Sequence, residues 1–137
     1  MSASVESVHR PEGRPEIKVR KPTFRFADVP RHWFWGNARA TALANALNLV
    51  FPAGERFFIR SVRHYMDRLH DDPVLLEEVR RFMGQEVRHG MEHERFFEAL
   101  EAQGYEIRSF LAWYERVAYG NLEQKFGPAV NLAVTVA

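Results

Sequence analysis

Residues 73–102, PVLLEEVRRFMGQEVRHGMEHERFFEALEA, decide the reading of this chain. On a wheel of roughly 100° per residue, Leu75, Val79, Phe82, Phe97 and Leu100 fall within about 40° of Glu86. His93 lies on the same line, and His89 lies about 60° from it on that wheel. The stripe therefore runs Leu, Val, Phe, then Glu, His, His, then Phe and Leu. The opposite side carries Glu77, Arg80, Arg81, Arg88, Glu94, Arg95 and Glu98, an ordinary solvated face. Asp71-Asp72-Pro73 supplies a helix start, with acids at the positive end of the dipole and proline in the first turn. Gln103-Gly104-Tyr105 supplies the stop.

Three ionisable groups in the middle of an apolar stripe need compensation, because burying them without partners costs several kcal/mol. Glu86 and His89 have the i, i+3 spacing that projects two ligands into a bundle core. His89 and His93 are i, i+4, the spacing of zinc-binding helices, although the glutamate of a His-Glu-x-x-His motif is absent. For each residue alone a buried arginine partner or a core hydrogen bond is the simpler explanation. The set points to a metal.

The preceding segment repeats the pattern. With Glu55 as the zero, Ala44, Asn48, Phe51, Ile59, Val62, Met66 and Leu69 lie within about 40° on the same wheel. This predicts a helix over residues 38–69, kinked or broken at Pro52 and Gly54. A third helix is predicted over 107–126, with an apolar face (Ile107, Leu111, Tyr114, Val117, Ala118, Leu122, Phe126) that carries no inward acid. Residues 129–137 are an apolar stub. Strand signals are weak throughout. The expected fold is all-α, a ferritin-like helical bundle left incomplete, with three long helices, a C-terminal stub and an extended N-terminal arm.

Pro11, Gly13 and Pro15 mark residues 1–21 as a flexible tail, followed by a helical domain over 22–137. The alternation at Ile17-Lys18-Val19-Arg20 and Phe24-Arg25-Phe26 predicts an arm laid on the body of the protein. The aromatic knot His32-Trp33-Phe34-Trp35 is expected to plug one end of the core. Among the remaining histidines, His64 is expected on the surface and His70 at a helix end.

The 137 residues make one domain of globular composition, 46% hydrophobic and 27% charged. A formal net charge of +1 gives no electrostatic grip on nucleic acid or an anionic membrane, so neither is expected as a partner. The absence of cysteine excludes disulfides, thiolate zinc sites, iron–sulfur clusters and a cysteine nucleophile. Any metal must be held by oxygen and imidazole nitrogen. The polar N-terminus has no signal-peptide core and no apolar run reaches the ~18–20 residues of a membrane span, so a cytoplasmic protein is expected.

Several segments in order resemble one known family. These are Pro30-x-His32-Trp33, Asn45-Ala46-Leu47, Phe51-Pro52-x-Gly54-Glu55-Arg56-Phe57-Phe58, Gln85-Glu86-x-x-His89-x-x-x-His93 and Gln103-Gly104-Tyr105. Together they resemble the bacterial predicted metal-dependent hydrolases, over residues 17–137. The resemblance implies a ferritin-like bundle with a carboxylate- and histidine-rich metal site. It also implies further Glu and His ligands from helices beyond Ala137. This chain would then be a truncated product, a fragment, or a short form that completes its bundle as a homodimer. The expected ligands are Glu55, Glu86, His89 and His93, the last as a fourth ligand or a support to the others. The expected cofactor is a divalent metal, iron first, with manganese or zinc as alternatives. The expected function is hydrolysis of a small-molecule substrate. The alternatives are di-iron oxygen chemistry, or a non-catalytic domain with a buried polar network or a structural metal.

Overall fold

The computed structural model describes residues 17–137. The first sixteen residues of the expected tail lie outside that range. The chain is all-α: the described residues contain no strand, and four helical runs pack together. Among the described residues no helix is long and apolar enough to cross a membrane.

Asn37 starts α1 (Ala38–Arg63) with its side-chain oxygen accepting from the Arg39 and Ala40 backbone N–H groups. This satisfies two of the first turn's free donors. Pro52 lies inside α1, which remains one element through it. The missing N–H and the ring clash cost about 3 kcal/mol in an isolated helix. Here Pro52 and Ala53 are buried against neighbouring helices, and that packing wins. The sequence carries this helix to Leu69, but it stops at Arg63, and a single 3-10 turn (Met66–Arg68) leads to the Asp71-Asp72-Pro73 restart.

The second helix, α2 (Pro73–Ala102), has the bounds its sequence predicts. Asp72 caps it by accepting from the Leu75 N–H at 2.8 Å, and Pro73 takes the first turn. Gly104, at φ +87°, closes it, a left-handed position that favours glycine. α1 and α2 form the main packing interface of the molecule.

The third run begins as α3 (Arg108–Glu115), widens into a π-helical segment (Arg116–Leu122) and closes with one α turn (Glu123–Lys125). Two arginines of α1 hold it. Arg56 donates to Glu115 at 3.1 Å, and Arg60 makes a two-pronged pair with Glu123 at 3.1 and 2.6 Å. The acids of the third helix thus serve packing against α1. The apolar stub is more than a stub: Pro128–Val136 folds as α4 and lies on α1, with Ser61 Oγ and Thr135 Oγ1 2.6 Å apart.

The arm runs beside α2 for most of its length, as expected. The Arg20 N–H donates to Gln85 Oε1, Arg95 donates to the Phe24 carbonyl, and Gln103 donates to the Val29 carbonyl, at 2.8, 2.8 and 2.7 Å. Trp33 donates to the buried Asn45 side chain at 2.9 Å and sets its ring edge-on to Phe96 at 5.6 Å. The knot therefore does cover one end of the core, which is built from Phe96, Phe97, Leu100 and Ile107. Trp35 departs from this, pointing out at 84% exposure.

Candidate metal centre

The α1–α2 interface brings Glu55 of α1 against His89 and His93 of α2. His89 Nδ1 lies 2.8 Å and His93 Nε2 lies 3.5 Å from the same oxygen, Glu55 Oε1. One donor atom from each of the three falls within a 4.8 Å span, the one such group of three among the described residues. Glu55 is buried and His93 nearly so, while the His89 side chain is half exposed. The group is thus open on one side.

Three neighbours shape it. Gly90 lets the helices approach, because a Cβ there would stand 2.9 Å from Glu55 Oε2. Phe51 stacks on the His93 ring at 5.4 Å, and the two imidazoles lie 4.6 Å apart. Gly54 leaves room for the hydroxyl of Tyr119, which a Cβ would meet at 3.4 Å. This is where the π-helical segment touches α1.

The electrostatics follow from burial. Desolvation, reinforced by the Glu86 charge, raises the Glu55 pKa to about 7. Desolvation, with the neighbouring His89, lowers that of His93 to about 4. His93 is therefore neutral at physiological pH, with a lone pair to give. Burial likewise raises Glu86.

A structural pairing of Glu55 with arginine is not what the residues do. Arg56, whose charge acts on Glu55 from a distance, is engaged with Glu115. Glu55 Oε2 and His93 Nε2 are buried without a hydrogen bond, and Glu55 Oε1 has the His89 Nδ1 contact at 2.8 Å. Buried polar atoms are almost always satisfied, and convergent exceptions of this kind fit a cation. Two imidazole nitrogens and one carboxylate are the donors of catalytic zinc sites and of non-haem iron(II) sites.

Of the four residues expected from the sequence, Glu55, His89 and His93 converge. Glu86 stands beside them, half-buried, and lines with Glu55 and Gly90 a hollow of about 430 Å³ whose walls include Pro52, Ile59, Val87 and Met91 and the charged Arg56, Glu94 and Arg95. Sequence reasoning missed Glu78, buried on α2, and the part of Gly90, whose signal was only its place between the two histidines. His64 and His70 are exposed.

Comparison with curated proteins and with solved structures gives no match. The family model described as predicted metal-dependent hydrolase matches residues 18–137, and the chain belongs to that family.

Proposed function

We propose that this protein is a metal-dependent hydrolase whose ion is held by Glu55, His89 and His93. The observation that carries the reading is the convergence of one donor atom each from Glu55, His89 and His93 within 4.8 Å, with Glu55 Oε2 and His93 Nε2 buried and without a hydrogen bond. The family supports hydrolysis as the reaction class. A bound divalent ion would supply Lewis acidity and a water of lowered pKa.

The chain's own groups have distinct parts. Glu55 brings the negative charge and ionises when the cation offsets its burial. His93, kept neutral by burial and fixed by the Phe51 ring, offers Nε2. His89, on the open side, leaves room for a substrate. Glu86 faces the adjoining hollow with its pKa raised, which suits a carboxylate oxygen that takes a proton from an attacking water. One three-donor group among the described residues suits a single ion.

The test is titration of the purified protein with Fe(II), Mn(II) and Zn(II), followed by hydrolysis of an activated aryl ester with and without metal. Glu55→Gln is expected to weaken binding at least tenfold. Unchanged affinity in that variant would overturn the assignment.

A further inference from the structure

A second hollow, of about 430 Å³, opens on the histidine side of the site. His89 and His93 line it, so whatever fills it meets the ligand group directly. The arm forms its other wall. Phe24, Phe26 and Trp33 from the arm and Phe96 from α2 line it in a chain of ring contacts at 5.4–6.0 Å. Trp33 and Phe96 are fixed, the first by its hydrogen bond to Asn45 and the second by burial, so the inner part of this surface is preformed. Cavities of a few hundred Å³ with aromatic walls and few polar groups are the usual form of small-molecule sites.

The charges around the hollow are unequal in a telling way. Glu92 lies in the wall, but both its oxygens accept from Arg95 Nη1 at 2.9 Å. Arg25 also lines the hollow, and among the described residues it has no hydrogen bond or ion pair. The uncompensated charge is therefore one guanidinium, a group whose planar donor fork matches a carboxylate.

We infer that this hollow is the substrate subsite, and that it takes a small carboxylate-bearing molecule with an aromatic ring, the ring against Phe24, Phe26 and Phe96 and the carboxylate on Arg25. The inference rests on the proposed metal site only for its link to catalysis; the pocket itself requires no metal. A ring-bearing anion gains both stacking and charge pairing here, whereas acetate lacks the first and benzyl alcohol the second.

The probes are phenylacetate, acetate and benzyl alcohol, titrated first into metal-free protein and followed by the Trp33 indole N–H resonance in NMR spectra. Phenylacetate is expected to bind at least tenfold more tightly than acetate. Phe24→Ala and Arg25→Gln alter exposed residues and are expected to leave the fold intact, which the dispersion of the same NMR spectra checks. Phe24→Ala is expected to weaken phenylacetate severalfold, and Arg25→Gln to bring it to the level of benzyl alcohol. Equal binding of acetate and phenylacetate, or insensitivity to both substitutions, would overturn the subsite. Metal titration of the same samples separates the two readings. Metal binding without a phenylacetate response defeats the pocket alone, and a phenylacetate response without metal binding supports the pocket and defeats the metal site alone.

Discussion

Gly90 of α2 lies so close to Glu55 of α1 that a methyl group on it would stand 2.9 Å from Glu55 Oε2. The glycine is set by the carboxylate opposite and not by its own backbone, which is helical. Gly90→Ala is therefore expected to push the Glu55 carboxylate out of line and weaken metal binding about tenfold or more, in the range seen when the support of a ligand is lost. Helix propensity favours alanine by up to ~1 kcal/mol, so stability should change little. Calorimetric titration beside thermal unfolding checks this, and wild-type affinity in the variant would refute the close-approach account.

Metal affinity should depend on pH through Glu55. The carboxyl must lose its proton to bind a cation, and its pKa stands at about 7 in the metal-free protein. His93, at about 4, is already neutral above that value. Affinity is expected to rise at least about tenfold per pH unit below pH 7, with at least about one proton released per ion bound near pH 6, because the Glu55 carboxyl and any protonated ligand imidazole must both give up a proton. Calorimetry in buffers of different ionisation enthalpy measures that proton; release of none would contradict it.

The stability of the metal-free protein carries the same two groups with opposite signs. The folded pKa of Glu55, about 7, lies above its ordinary 4.5, so its contribution is complete below pH 4.5 and is lost as pH rises to 7. The folded pKa of His93, about 4, lies below its ordinary 6.5, so its contribution is complete above pH 6.5 and is lost as pH falls to 4. Each amounts to roughly 3 kcal/mol across its window. Their slopes oppose one another where the windows overlap, and Glu86, raised by burial like Glu55, adds to the fall with rising pH. Glu55→Gln is expected to leave chiefly the fall toward acid, and His93→Gln only the fall toward neutral pH. Urea denaturation in the presence of a chelator tests this; two variants with pH profiles parallel to the wild type would count against it.

Phe97 is fully buried in the cluster with Phe96, Leu100 and Ile107. Phe97→Ala is expected to cost about 3–5 kcal/mol, the range for removing a core aromatic ring. A loss below ~1 kcal/mol in chemical denaturation would mean that the core lies elsewhere.

A homodimer is the proposed assembly, through the apolar side chains that α1 and α2 leave in the open. Leu43, Leu47 and Phe51 on α1 and Val87 and Met91 on α2 are each 48–65% exposed. Exposed apolar surface beside a site is the kind that marks interaction. Sedimentation is expected to give twice the 16.0 kDa chain mass, with Leu47→Glu returning the protein to a single chain. A wild-type monomer at every concentration would rule the assembly out.

The helical class, the limits of α2 and the inward place of Glu55 and His93 are legible in the sequence, because a 3.6-residue period fixes the angle of every side chain on its own helix. Angle is all that it fixes. Phe51 shares the Glu55 stripe yet is half exposed, and Glu86 shares the His93 stripe yet stands beside the convergent group. Which residue of α1 meets which residue of α2 depends on how far the helices slide and how closely they approach. That is decided by side chains far apart in the chain, among them Gly90 against Glu55, Arg56 on Glu115 and Arg60 on Glu123. The course of the arm and the folding of Pro128–Val136 against α1 depend likewise on surfaces that exist only once α1 and α2 have packed. The sequence alone thus determined the helical class, the limits of α2 and the ligand types. The tertiary structure decided which three donors meet, and that an aromatic hollow with one unpaired arginine opens beside them.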